Sequence, residues 1–195
     1  GTGNRNTSFH LIDSVSLKGG YGGFNEPDPN ARDIVVYETI LSGDLYGNDS
    51  DISNPRNLLN ESTRRENSYH VVTASGTHET SVLDGFTITG GNANDSQIDL
   101  EQGAGMYNIS GSPTLINCTF NRNSTDRAGG GIYNDGGNPV LTNCTFDRNF
   151  GWTEGGGICN NFADPILSSC IFSRNSTKYD GAGMSNNFSN PTLDN

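Results

Sequence analysis

Three arginines recur at one fixed spacing in the second half of this 195-residue chain. Arg122, Arg148 and Arg174 are each separated by 26 residues from the next. A guanidinium group binds planar anions through two parallel hydrogen bonds. A row of them at a spacing like that of sugar units could therefore grip the carboxylates or sulfates of an acidic polysaccharide. The competing interpretation is that each arginine pairs with a nearby carboxylate and only keeps the surface soluble. The nearby acids are Asp126, Asp147, Glu154 and Asp180.

A second set of candidate residues offers oxygen ligands in a polar, glycine-containing stretch. These residues are Asp44, Asn48, Asp49 and Asp51. Carboxylate and amide oxygens are the ligands that Ca²⁺ prefers, so the stretch is a candidate calcium site, and no other cofactor is expected. Its spacing differs from that of a complete EF-hand loop, and a metal-free polar loop is the alternative interpretation.

An internal repeat sets the elements that must position these residues. Four glycine-rich segments align without gaps at 26-residue steps: Gly103-Ala104-Gly105-Met106, Gly129-Gly130-Gly131-Ile132, Gly155-Gly156-Gly157-Ile158 and Gly181-Ala182-Gly183-Met184. Within each unit, short apolar alternations are bounded by Gly, Asn, Asp and Pro, which is typical of strands and turns and not of helices. Such a unit can coil so that each strand pairs in parallel with its equivalent one turn later.

Coiling of this repeat predicts rows of like side chains, one from each coil. Apolar residues would stack in the core, and asparagines would hydrogen-bond between coils while tolerating the left-handed backbone of tight corners. The predicted structural ladders are Cys118, Cys144 and Cys170; Phe120, Phe146 and Phe172; and Asn108, Asn134, Asn160 and Asn186. A thiol in such a ladder behaves as a small apolar group, so we expect free cysteines, although adjacent coils also bring Cα atoms within disulfide range.

The repeat resembles the right-handed parallel β-helix of the pectate-lyase-like superfamily. More narrowly, it is similar to the repeats of polymorphic outer membrane proteins, whose units carry GG[AG]-I and F-x-x-N tetrapeptides. The matching strings here are Gly129-Gly130-Gly131-Ile132 and Phe146-Asp147-Arg148-Asn149, with equivalents one period earlier and later, and the resemblance covers residues 103–195. It implies display on a bacterial surface and a role in adhesion.

The same superfamily contains polysaccharide lyases and glycosidases, and glycosidic hydrolysis needs two carboxylates that face a groove. Solenoid hydrolases of this type show an Asp pair, Gly-His-Gly and Arg-x-Lys, and pectate lyases show clustered Asp with Arg-x-Pro-x-x-Arg; none of these strings occurs here. The histidines, His10, His70 and His78, lie outside the regular repeat and are interpreted as structural or solvent-facing. No catalytic residue is predicted.

The chain is expected to form one all-β domain over residues 1–195, a right-handed parallel β-helix of about seven coils. Residues 1–102 are predicted to form irregular coils with a long surface loop near 45–67, and residues 103–195 regular 26-residue coils. Because Leu193-Asp194-Asn195 stops within a unit, we expect a fragment of a longer protein whose solenoid continues or is capped.

Composition argues against two kinds of partner. The longest apolar run, Ile34-Val35-Val36-Tyr37, is far too short for a membrane span. With 22 acidic against 11 basic residues and a net charge of −11, the chain lacks the basic footprint that binds a nucleic-acid backbone.

These observations predict a non-catalytic extracellular or bacterial cell-surface module for adhesion, glycan binding or structural spacing, with a polysaccharide or cell-surface ligand as partner. Two alternatives stay open. One is a carbohydrate-active enzyme, a polysaccharide lyase or glycosidase, with its site in the irregular half or outside the fragment. The other is a filament or surface-layer component that self-associates end to end.

Overall fold

The structure is a computed structural model that describes residues 3–194, so residues 1, 2 and 195 of the predicted domain lie outside it. Strands of two to four residues follow one another around a coil, and each pairs in parallel with its equivalents in the neighbouring coils. Four parallel sheets therefore run along the length of a β-helix. The predicted fold class, an all-β parallel solenoid, is confirmed.

The strands are numbered in chain order and fall into four sheets. Sheet 1 contains β1 (Phe9–His10), β4 (Val72–Thr73), β8 (Met106–Ile109), β12 (Ile132–Asp135), β16 (Ile158–Asn161) and β20 (Met184–Asn187). Sheet 2 contains β2 (Ser16–Lys18), β5 (Val82–Asp84), β9 (Thr114–Ile116), β13 (Val140–Thr142), β17 (Ile166–Ser168) and β21 (Thr192–Asp194). Sheet 3 contains β3 (Thr39–Ser42), β6 (Phe86–Thr89), β10 (Thr119–Asn121), β14 (Thr145–Asp147) and β18 (Ile171–Ser173). Sheet 4 contains β7 (Asn92–Ala93), β11 (Ser124–Thr125), β15 (Phe150–Gly151) and β19 (Ser176–Thr177), and short 3₁₀ helices span Pro55–Asn60, Ser62–Arg64 and Ile98–Leu100.

Each regular coil turns four corners, and each corner contains a residue with a left-handed backbone. In the coil that begins at β12 these residues include Gly136, Asn143, Arg148 and Gly155, with φ of 67°, 53°, 53° and 59°. Glycine and asparagine adopt this conformation at the least steric cost, which explains their recurrence at the ends of the strands. The arginine at the third corner, between sheets 3 and 4, is the exception.

Apolar side chains that point into the coils form one continuous core. Phe120, Phe146 and Phe172 lie in register in β10, β14 and β18. Their rings stack face to face, with centroids 5.1 and 4.9 Å apart. Complete burial of a phenylalanine side chain contributes about 1.5–3 kcal/mol, so a ladder of three rings is a large part of what holds adjacent coils together.

Asparagine side chains form a second ladder, in sheet 1, from Asn108 through Asn134 and Asn160 to Asn186. Each amide nitrogen donates to the amide oxygen one coil later, at 3.1, 2.8 and 2.8 Å. Buried polar groups are costly unless they are hydrogen-bonded. Most polar groups of this ladder are hydrogen-bonded, because every coil supplies a donor to one neighbouring coil and an acceptor to the other.

Six strands in each of the two longest sheets define six coils in the described residues. This is one fewer than the number predicted from the length of the chain. Equivalent residues of the first two coils, His10 and Thr73, are 63 positions apart, whereas Asn108 and Asn134 are 26 apart. The first coil is longer because of two excursions, residues 19–38 between β2 and β3 and residues 43–71 between β3 and β4.

The second excursion contains a segment, residues 44–67, that we name the strap. It contains two 3₁₀ helices, of which Pro55–Asn60 lies along sheet 4, with Leu58 and Leu59 buried. Arg56 Nε donates to Ser176 Oγ at 2.9 Å, and Arg56 NH2 donates to the Thr177 carbonyl at 3.0 Å. The strap therefore links the start of the solenoid to β19, three strands further along sheet 4 than β7. In residues 3–194, no helix is both long enough and apolar enough to cross a membrane.

Candidate functional site

A cleft of about 230 Å³ opens where the strap leaves sheet 3. Asp44, two residues after β3, organises its edge because its carboxylate accepts four backbone N–H groups. Oδ1 accepts from Tyr46, Gly47 and Asn48 at 3.2, 2.7 and 3.2 Å, and Oδ2 accepts from Asp49 at 3.0 Å. An Asp that hydrogen-bonds the backbone just after itself is a standard way to fix a turn, and here it places Asp49 inside the cleft.

Arg64 forms the floor of the cleft and has only 2% of its side chain exposed. Its NH1 donates to Asp49 Oδ2 at 2.8 Å, and its NH2 donates to the carbonyls of Gly91 and Arg122 at 2.9 and 3.0 Å. Asn67 Nδ2 donates to the same Asp49 oxygen at 2.8 Å. An unpaired charge at this depth would cost several kcal/mol, and Asp49 supplies the opposite charge. The bonds from Arg64 to the Gly91 and Arg122 carbonyls fasten the strap to the second and third coils.

The two cleft aspartates are electrostatically different. Burial raises the pKa of Asp49 above its usual value, against the opposing effect of Arg64. Burial would also raise the pKa of Asp44, but its four backbone hydrogen bonds outweigh this and lower the pKa. Burial lowers the pKa of the Arg64 guanidinium. Two carboxyl groups pushed in opposite directions are a pattern that acid–base sites share.

The residues of the calcium prediction are only partly brought together. Oxygens of Asp44 and Asp49 lie within 4.8 Å of each other and of a Glu66 oxygen. With the Asn48 amide oriented to satisfy its neighbours, its nitrogen donates to Glu66 Oε1 at 2.6 Å. Asp51 turns away and accepts from Arg122.

A cation at this point would use Asp49 Oδ1, which is buried without a hydrogen bond, and the Glu66 carboxylate. Ca²⁺ takes six to eight oxygens, whereas both Asp44 oxygens and Asp49 Oδ2 already accept hydrogen bonds. The positive charge of Arg64 is therefore the neutralising partner that the structure provides.

The arginine row, defined as Arg122, Arg148 and Arg174, lies at the corner between sheets 3 and 4, one residue per coil. The side chains keep 31%, 25% and 56% of their surface exposed. Each pairs with a carboxylate: Arg122 with Asp51, Arg148 NH1 with Asp147 at 3.2 Å, and Arg174 with both Asp147 oxygens at 2.7 Å. The row therefore carries acceptors as well as donors. Pairing of each arginine with a carboxylate is what the competing interpretation, a soluble surface, predicts.

The arginine row has an unfavourable backbone conformation. All three residues have φ of 53°, a region in which a side chain with Cβ is strained. In the second coil the same corner is Gly90, with φ of 78°, so the fold accepts glycine there. The strained backbone recurs in three successive coils. We infer that contacts of the guanidinium groups offset the free-energy cost of this strain.

Two exposed phenylalanines, which the sequence analysis did not single out, occupy another corner. Phe162 and Phe188 have φ of 49° and 51°, are 63% and 83% exposed, and stack with centroids 4.9 Å apart. The same register holds Ser110 and Gly136 in the two preceding coils. The change from small to aromatic residues within the 26-residue alignment is the signal that could have identified them.

The histidines lie away from the cleft. His70 is buried against Tyr107, with ring centroids 4.8 Å apart, and burial lowers its pKa. His78 Nδ1 lies 2.7 Å from Asp13 Oδ2, and His10 Nδ1 lies 3.0 Å from Thr73 Oγ1.

The cysteine ladder consists of free thiols. Cys118 and Cys144 are buried, and Cys170 is half-buried. Hydrogen bonds with its two ladder neighbours raise the pKa of Cys144 well above its usual value. A hydrogen bond with Cys144 lowers the pKa of Cys170 to about 7, and Cys170 is also the least buried thiol of the ladder.

No family model, curated protein or solved structure matches this chain.

Proposed function

We propose that this chain is a non-catalytic β-helix module, secreted or displayed on a bacterial surface, that binds a polysaccharide along the arginine row. The observation that carries the proposal is the row itself, in which three arginines keep a strained backbone at a corner where Gly90 shows that glycine is accepted. The resemblance to polymorphic outer membrane protein repeats supports the surface location and the adhesive role.

The row suits a polymer because its members repeat at the coil spacing, which for parallel strands is about 4.8 Å. The guanidinium donors are paired with the acceptors Asp51, on Arg122, and Asp147, which Arg148 and Arg174 share. Sugar hydroxyls both donate and accept hydrogen bonds, so a chain of sugar units laid along the row could use both kinds of group. Arginine–carboxylate pairs are geometrically well defined, which favours a preformed surface over one ordered by the ligand.

The test is retention of the protein on immobilised acidic and neutral polysaccharides. The variant Arg122→Ser/Arg148→Ser/Arg174→Ser removes the row, and the fold should accept it because Ser110 and Ser169 already adopt φ of 55° and 53° at other corners. A matched control is Arg65→Ser, which removes one exposed arginine of the strap. We expect the triple variant to lose retention while the control keeps it. Equal retention of the triple variant and the wild type would contradict the proposal.

A carbohydrate-active enzyme is the second candidate, and the cleft is the observation that favours it. Asp44 and Asp49 lie together with pKa values pushed in opposite directions, and paired carboxylates are what glycosidases use. The test is incubation with polysaccharides followed by measurement of new reducing ends and of unsaturated uronates. Turnover that is abolished by Asp49→Asn would establish the enzyme. Binding with no release of products supports the module.

A further inference from the structure

A second cavity of about 230 Å³ lies on sheet 4, at the far end of the strap. It is lined by Arg56, Phe150, Trp152 and Lys178. Phe150 belongs to β15, and Trp152 follows that strand directly. Lys178 occupies the same register one coil later, and its backbone N–H donates to the Trp152 carbonyl at 3.2 Å. Two coils and the strap thus converge on one small pocket, here named the cationic–aromatic pocket.

Among the described residues, neither cation of this pocket forms an ion pair with a carboxylate. In residues 3–194, six of the arginines form ion pairs with carboxylates, but neither Arg56 nor Lys178 does. The chain as a whole carries a net charge of −11, so acids are abundant and these two side chains nevertheless lie apart from them. Asp126, the equivalent of Trp152 one coil earlier, is not among the residues that line the pocket.

Both cations are held in place without being neutralised. Arg56 uses Nε and NH2 to bond Ser176 and Thr177, which leaves NH1 without a protein partner among the described residues. The Lys178 ammonium lies 4.4 Å from the centroid of the Trp152 ring and 5.4 Å from that of Tyr179. A cation–π contact orients an ammonium but leaves its charge available.

We propose that the cationic–aromatic pocket binds one uronic acid residue of a polysaccharide. Arg56 NH1 and Lys178 Nζ receive the carboxylate, and the apolar C–H face of the sugar ring packs against Trp152, which is backed by the buried Phe150. Pockets for drug-sized ligands measure roughly 300–1,000 Å³, so this smaller volume suits a single ring. The inference deepens the proposed function, on which it rests for the polymeric source of the sugar, but the pocket is separate from the arginine row.

Trp152 provides a direct readout, because it is the one tryptophan in the sequence. The whole protein is titrated with an oligogalacturonate while tryptophan fluorescence is recorded, with a neutral galactose oligomer of equal length as the matched ligand. We expect a saturable change with the acidic oligomer and none with the neutral one. An equal response to inorganic sulfate, or to a poly-glutamate peptide, would overturn the assignment to a sugar acid.

Two substitutions test the cations separately. Lys178→Gln and Arg56→Gln each remove a charge-assisted hydrogen bond and should weaken binding by about tenfold or more. The matched controls are Lys18→Gln and Arg65→Gln, which remove exposed cations away from the pocket and should leave affinity unchanged. Because Arg56 also fastens the strap, Lys178→Gln is the decisive variant. Equal affinity of Lys178→Gln and Lys18→Gln would refute the inference.

The two proposals fail in different ways. If the triple arginine-row variant loses polysaccharide retention while tryptophan fluorescence never responds to uronates, the arginine row stands and the pocket assignment is wrong. If uronate binding depends on Lys178 but the arginine-row variant retains polysaccharide as the wild type does, the pocket stands and the row is wrong.

Discussion

Replacing Arg64 by methionine removes the cation on which the cleft is built. Methionine keeps an unbranched apolar stem of similar length, so the change removes charge and hydrogen bonds more than volume. Asp49 Oδ2 would lose its charged donor and keep only the Asn67 amide, and the carbonyls of Gly91 and Arg122 would each lose the bond from Arg64 NH2. Asp44 and Glu66 would then face Asp49 with no compensating positive charge at the centre of the cluster.

The expected loss in the free energy of unfolding follows from how deeply the Arg64–Asp49 pair is buried. Loss of one partner from a buried ion pair costs about 3–5 kcal/mol. Arg64 is 2% exposed but Asp49 keeps 18% of its side chain exposed, so we expect the lower end, about 3 kcal/mol. In a protein of this size, 1 kcal/mol changes Tm by about 2–4 °C, so Tm should fall by roughly 6–12 °C.

Thermal unfolding followed by circular dichroism measures this loss, with Arg65→Met as the control because Arg65 is the exposed neighbour. The double variant Asp49→Leu/Arg64→Met should recover most of the lost stability, because it also removes the unpaired carboxylate. A fall in Tm no larger than that of the control, or a double variant less stable than Arg64→Met, would refute the reasoning.

The stability of the Arg64→Met variant should also depend on pH differently from that of the wild type. Burial already raises the pKa of Asp49, and loss of the guanidinium raises it further. A carboxyl group whose pKa is raised on folding stabilises the folded state when protonated, and this contribution is lost as pH rises through the raised pKa. The stability deficit of the variant should therefore shrink when the pH is lowered from about 7 to about 5.

Three further predictions follow from the ladders and the cleft. Phe146→Ala removes the central ring of the phenylalanine stack and should destabilise the protein by about 3–5 kcal/mol in urea unfolding; a loss below about 1 kcal/mol would mean that the ladder contributes little. Alkylation of Cys170 by iodoacetamide should rise with a midpoint near pH 7, its lowered pKa, while Cys144 stays unreactive; a midpoint near the ordinary thiol value would contradict the coupling between the two thiols. Since Arg64 neutralises the acidic cluster, a chelator should change Tm by no more than about 1 °C, and a fall of several degrees would instead support the calcium prediction.

The regular half of the fold could be predicted from the sequence because its contacts are periodic. A 26-residue period places Phe120 opposite Phe146 and Asn108 opposite Asn134 without knowledge of any other part of the chain. The same period gives the corners, since glycine and asparagine recur where the backbone is left-handed. The number of coils was overestimated because the length of the first coil is set by excursions that have no period.

The cleft and the strap were only partly predictable. Asp44 and Asp49 are close in sequence and were grouped by composition, but the path of the strap decides that Asp51 turns to Arg122 and that Glu66 joins the cluster. Arg64 carries no sequence signal for burial, since its environment comes from carbonyls 27 and 58 residues away. Trp152 and Lys178 share one register of the repeat, which the alignment could have revealed, whereas Arg56 is brought beside them by its hydrogen bond to Ser176, 120 residues away.

We propose that the protein holds a polysaccharide along its side without cleaving it. The most direct measurement is size-exclusion chromatography of fluorescently labelled polygalacturonate after incubation with the protein. We expect the label to co-elute with the wild-type protein, to elute free of the triple arginine-row variant, and to keep its original chain length in both. Label that shifts to shorter chains in the presence of the wild type, and not of Asp49→Asn, would contradict the account and identify an enzyme.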